Sequence, residues 1–62
     1  MTNIEAAQII NDLGLKRQAV AIRCNLHPVI FSAWLNGRRT ISPNQVYSVQ
    51  QYLRKLQQAQ TA

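Results

Sequence analysis

From Arg17 to Asn36 the chain reads RQAVAIRCNLHPVIFSAWLN, and this stretch decides the fold. It divides into two short helical segments around a break at Asn25-Leu26-His27. Asn25 suits the left-handed conformation that ends a helix, because Asn is the commonest substitute for glycine there. Pro28 suits the first turn of the next segment, since its fixed φ is helical and its missing N–H has no partner to lose. Ala21 is small where two crossing helices must approach closely. Val20, Cys24, Leu26, Phe31 and Trp34 are apolar at positions that would all face one small core. Asn36-Gly37 closes the second segment.

Upstream, Thr2 or Asn3 can cap a helix over 3–13, with Glu5 placed to suit its dipole. Ala6, Ile9, Ile10 and Leu13 give that helix an apolar face, Gly14 stops it, and Leu15 is a core anchor. The next helix spans 16–24, with Val20, Ala21 and Cys24 inward and Lys16, Arg17 and Arg23 exposed. The one after spans 28–35. Downstream, Ser42-Pro43-Asn44-Gln45 is a helix start: Ser42 caps, Pro43 takes the first position, and Gln45 completes a capping box. The last helix spans 43–58, with Val46, Val49, Leu53 and Leu56 as its stripe, Tyr52 beside it and Tyr47 on the opposite side. The tail over 57–62 is expected to fray. No repeat or linker divides the chain, so residues 1–62 form one compact all-α domain of four helices.

At 62 residues the chain is near the lower limit for a self-sufficient core, yet 47% hydrophobic residues exclude a disordered chain. Seven Lys and Arg against two acids give a formal charge of +5. That excess favours nucleic acid first and an anionic membrane surface second; a solvated basic surface is the plain alternative. The single cysteine, Cys24, allows no disulfide within the chain and sits at an apolar position. One His, one Cys, Glu5 and Asp12 form no general acid–base set. No metal spacing and no glycine-rich phosphate loop is present. The chain is therefore expected to be no enzyme, with no catalytic residue, metal, cofactor or small-molecule substrate. No apolar run approaches the roughly 18 residues of a membrane span. The start, Met1 to Glu5, lacks the basic and apolar regions of a signal peptide, so a cytoplasmic protein is expected.

Candidate binding residues cluster around the quoted stretch. Lys16 and Arg17 place positive charge at a helix start, which the dipole disfavours but phosphate would exploit; ordinary solvated charge is the other reading. His27 takes a cap position where Ser or Thr is usual, so it serves either as a structural group or as a reach toward a phosphate or base edge. Phe31 and Trp34 lie three apart on the inner face, which makes Trp34 a core anchor rather than a stacking platform. The outer face of 28–35 is then Pro28, Val29, Ser32 and Ala33, continued by Asn36, with Ile30 at its margin. Arg38-Arg39-Thr40 form a basic turn after it.

Ala21, the turn at Asn25-Leu26-His27, the pair Phe31 and Trp34, the string Trp34-Leu35-Asn36-Gly37-Arg38-Arg39, and Ser42-Pro43 opening the next helix carry a resemblance. Residues 15–42 resemble the Cro and repressor helix–turn–helix proteins of phages, of the lambda repressor-like class. The resemblance implies a cytoplasmic transcription regulator that binds double-stranded operator DNA, usually as a homodimer, with helix 28–35 in the major groove. It implies that Arg17, Asn36, the backbone of Gly37, Arg38 and Arg39 contact phosphate, beside Lys16, whose charge at the helix start already makes it a candidate. It implies that His27, Pro28, Val29, Ser32 and Ala33 read bases. Relatives usually carry Gln, Asn, Arg, Lys or Ser at several reading positions. Here Pro28, Val29 and Ala33 make no bidentate bond, though Val29 and Ala33 can pack on thymine methyls. Backbone charge is thus expected to supply most of the affinity. Many relatives add a fifth helix that helps form the dimer; here the last helix, or an apolar patch around Val29 and Ile30, is the expected dimer contact. The rival expectation is a protein-interaction module, an antirepressor-like regulator that docks through the apolar outer face of 28–35.

Overall fold

Thr2 decides where the first helix begins. In the computed structural model, which describes residues 1–61, its Oγ1 accepts the Glu5 N–H at 3.1 Å. Helix α1 follows over Asn3–Asp12. Helices α2 (Arg17–Arg23), α3 (Pro28–Leu35) and α4 (Pro43–Thr61) complete the order, and no strand occurs among the described residues. The expected limits of α1 and α2 each extend one residue too far at one or both ends. Leu13 and Cys24 cap their helices instead, and Lys16 precedes α2 in extended backbone.

The first three helices end in the same way. Gly14, Asn25 and Gly37 adopt φ of 67°, 60° and 76°. In each case that residue donates to the carbonyl three positions back, and the residue after it donates five back. The longer bonds are Leu15 to Ile10 (2.9 Å), Leu26 to Ala21 (2.8 Å) and Arg38 to Ala33 (2.9 Å). This is the Schellman cap, in which a left-handed residue lets two orphan carbonyls be satisfied. Asn25 takes this geometry without being glycine, as its type allowed.

The start of α4 is the expected reciprocal pair: Gln45 Oε1 accepts the Ser42 N–H at 2.9 Å, and Ser42 Oγ accepts the Gln45 N–H at 3.2 Å. The end of α4 differs from expectation. Residues 57–61 are helical rather than frayed, and Ala62 lies outside the described residues.

The core is assembled from every helix. Ala6 and Ile10 of α1, Val20 and Ala21 of α2, Phe31, Trp34 and Leu35 of α3, and Val49 and Leu53 of α4 are buried, together with Leu26 from the turn. Ala21 is fully enclosed, as the close approach of α2 and α3 requires. The Phe31 and Trp34 rings pack tilted with centroids 5.9 Å apart, so Trp34 is a core residue. Leu35 joins them, although the sequence reading treated it only as the last residue of its helix. Met1 and Ile41 also pack on the cluster, while Leu13 and Leu56 stay half-exposed outside it. For Leu56 the reason is length: α4 has 19 residues against 7 to 10 in the others, and its last turns pass the end of the core. No polar or charged side chain is buried among the described residues, and no helix is long and apolar enough to cross a membrane.

Candidate nucleic-acid interface

Because α3 turns Phe31, Trp34 and Leu35 inward, its other face is left bare. Pro28, Val29, Ser32 and Ala33 line an open concavity of about 400 Å³, joined at one end by Asn36 and Arg38. Four of the five residues expected to face a base thus share one surface with two of those expected to face phosphate. Val29 is its most prominent member, 71% exposed. Ser32 and Ala33 are half-buried on its floor.

His27 stands at the start of this face. Its Nδ1 accepts the Val29 N–H at 3.2 Å, so the imidazole does the work of the usual Ser or Thr cap. An accepting Nδ1 leaves the ring proton on Nε2, which is free to donate outward. The ring is therefore both a structural cap and an available donor.

At the opposite end, Arg17 Nη1 donates to Asn36 Oδ1 at 3.3 Å. This contact joins the first residue of α2 to the cap of α3, 19 positions apart, on the exposed surface. The Asn36 side-chain amine keeps its own donors. Gly37 follows in left-handed backbone, and its amide is already held by the Trp34 carbonyl at 3.0 Å. Its backbone donor is thus committed within the cap.

Arg38 occupies an unusual place. In a Schellman cap the residue after the left-handed one commonly packs an apolar side chain back on the helix. Leu15 and Leu26 stand there in the first two caps, half-buried and buried. Arg38 stands there in the third, exposed, with its backbone tied to Ala33 and its residue lining the concavity. Lys16 and Arg39 are exposed and lie outside the lining. The structure therefore unites Arg17, Asn36 and Arg38 with the outer face of α3, and leaves Lys16 and Arg39 on its flanks.

Asn3 is the residue that sequence reading missed. Once Thr2 takes the cap of α1, the Asn3 side chain is free, and its Nδ2 donates to the Leu35 carbonyl at 3.3 Å. A Cβ on Gly37 would lie 3.6 Å from the same nitrogen. The start of α1 thus buttresses the end of α3, beneath Asn36 and Arg38. The only signal in the sequence was the redundancy of two cap-type residues in succession.

Burial pushes the Cys24 thiol above its usual range, which keeps it protonated and a poor nucleophile. No group of three or more His, Cys, Asp or Glu among the described residues can hold a metal ion. Compared with known protein families, with curated proteins and with solved structures, the chain matches none, so the functional reading rests on the geometry of this face.

Proposed function

We propose that this chain is a sequence-specific, double-stranded DNA-binding transcription regulator of the Cro and repressor type. In this reading α3 enters the major groove. His27, Pro28, Val29, Ser32 and Ala33 face base edges, and Lys16, Arg17, Asn36, Arg38 and Arg39 face the phosphates, while Gly37, its amide held within the cap, only turns the chain there. The observation that carries it is the linkage of Arg17 to Asn36 beside Arg38, which puts positive charge at the end of an exposed helix face. Exposed guanidinium groups flanking a helix are what a duplex backbone attracts, and the formal charge of +5 acts in the same direction. Such a regulator works in the cytoplasm. Binding as a homodimer would double the contacts and read two half-sites roughly 34–36 Å apart.

The test is duplex binding by fluorescence anisotropy across a salt series, starting from fragments selected out of a random pool. Lys16, Arg17, Arg38 and Arg39 on phosphates correspond to a slope of log K against log salt of about −3 to −4 per protomer. Arg38→Ala with Arg39→Ala should weaken binding to every sequence and flatten that slope by about two. An unchanged slope would sink the reading.

A second reading has an observation in its favour. The concavity is lined mainly by carbon, and Val29 is exposed at its rim, which also suits an apolar helix of a partner protein. An antirepressor-like module of that kind would lose activity on Val29→Asp and keep it when Arg38 and Arg39 are removed.

A further inference from the structure

This inference rests on the DNA-binding reading and names what α3 recognises in the groove. The concavity is lopsided in its chemistry. Pro28, Val29 and Ala33 offer only carbon, Ser32 offers one hydroxyl, and the amide and guanidinium groups of Asn36 and Arg38 stand at one end. No side chain within the carbon-lined part can form the paired bonds that define one base. A duplex major groove displays one apolar feature, the C5-methyl of thymine, and a cytosine methylated at C5 displays the same group in the same place. The charge argues for this occupant over an apolar peptide. Arg38 is part of the lining, and Arg17 is bonded to Asn36 beside it, so the occupant must bring anionic groups to one edge of an apolar contact. Ser32 does not fix the base, because a hydroxyl can donate to thymine O4 or accept from cytosine N4.

We propose that α3 reads the C5-methyl groups of pyrimidines, so that thymine and 5-methylcytosine are bound alike and uracil and unmodified cytosine are bound less well. The apolar side chains then act as a sensor of methylation rather than of base identity. DNA methylated at cytosine becomes a better ligand at the contacted positions.

The experiment uses the full chain and duplexes of one selected sequence. The contacted pyrimidines are made in turn as thymine, uracil, 5-methylcytosine and cytosine, with the matching purine opposite. Two pairs, thymine with uracil and 5-methylcytosine with cytosine, differ by a methyl group alone. Each methyl removed should weaken binding roughly fourfold, the ratio expected for withdrawing one such group from contact. In Val29→Ser, whose helix content and unfolding midpoint should match the parent because the residue is exposed, the ratio should fall toward one. Tight duplex binding with no methyl effect overturns the proposal and leaves the DNA-binding reading standing. A methyl effect that persists undiminished in Val29→Ser overturns it too. Failure to bind any duplex overturns both.

Discussion

At His27 the imidazole caps α3 with one nitrogen and leaves the other for the contact proposed above. Nδ1 holds the Val29 amide at 3.2 Å, and Nε2 points its donor away from that bond. The two tasks separate under mutation. His27→Ala removes the cap and should lower stability by about 0.5–1 kcal/mol in urea unfolding. His27→Asp restores a better cap and suits the helix dipole, so stability should equal or exceed that of the parent. The same change puts an anion at the end of α3 that the DNA-binding proposal turns toward the groove, so duplex affinity should fall. If His27→Asp binds duplexes as well as the parent, this end of α3 does not approach the duplex. At this scale the sequence was partly legible. A His before a Pro signalled a helix start, but whether the ring would turn inward as a cap depended on backbone geometry. Asn3 was less legible still: its contact with the Leu35 carbonyl spans 32 positions, and no local pattern encodes such a reach.

Among the elements, the three left-handed caps set the directions in which the chain leaves α1, α2 and α3. Asn25 is the informative one, because it holds φ of 60° with a side chain present. Asn25→Ala should destabilise the domain by about 1–2 kcal/mol, the cost of a left-handed residue that lacks a short polar side chain. Asn25→Gly relieves that conformational cost while adding freedom to the unfolded chain, so its unfolding midpoint should stay near the parent's. Thermal unfolding of the two variants checks the ordering, and equal losses would mean that the cap does not govern the turn. These ends were readable in advance because Gly14, Asn25 and Gly37 are among the few residue types that tolerate the geometry. The length of α4 was not. Residues 57–61 are mostly Gln and Ala, good helix formers with no apolar stripe, so they extend a helix already started rather than announce one.

For the whole molecule, size is the governing fact. A chain of 62 residues has a total stability of about 3–9 kcal/mol at ordinary values per residue. Leu53 is fully buried, and Leu53→Ala in such a core costs about 2–5 kcal/mol. That variant should melt well below the parent by circular dichroism. The surface variants at Val29, Arg38 and Arg39 should melt with the parent. The all-α arrangement was legible because apolar spacing and stop residues agree along the chain. The identity of the ligand was not, since the outer face of α3 carries few groups that commit to one. The Schellman caps bear on a different matter, the lifetime of the protein. Each chain reversal is closed by bonds spanning five residues or fewer, so much of the topology is local and folding should be complete in microseconds to milliseconds. With reclosure that fast, proteolytic turnover follows the equilibrium population of open molecules and not the rate of unfolding. A ligand that binds only the folded chain lowers that population. On the DNA-binding proposal, molecules seated on a duplex would therefore outlive free ones, and the number of occupied sites would help set how much of the protein persists.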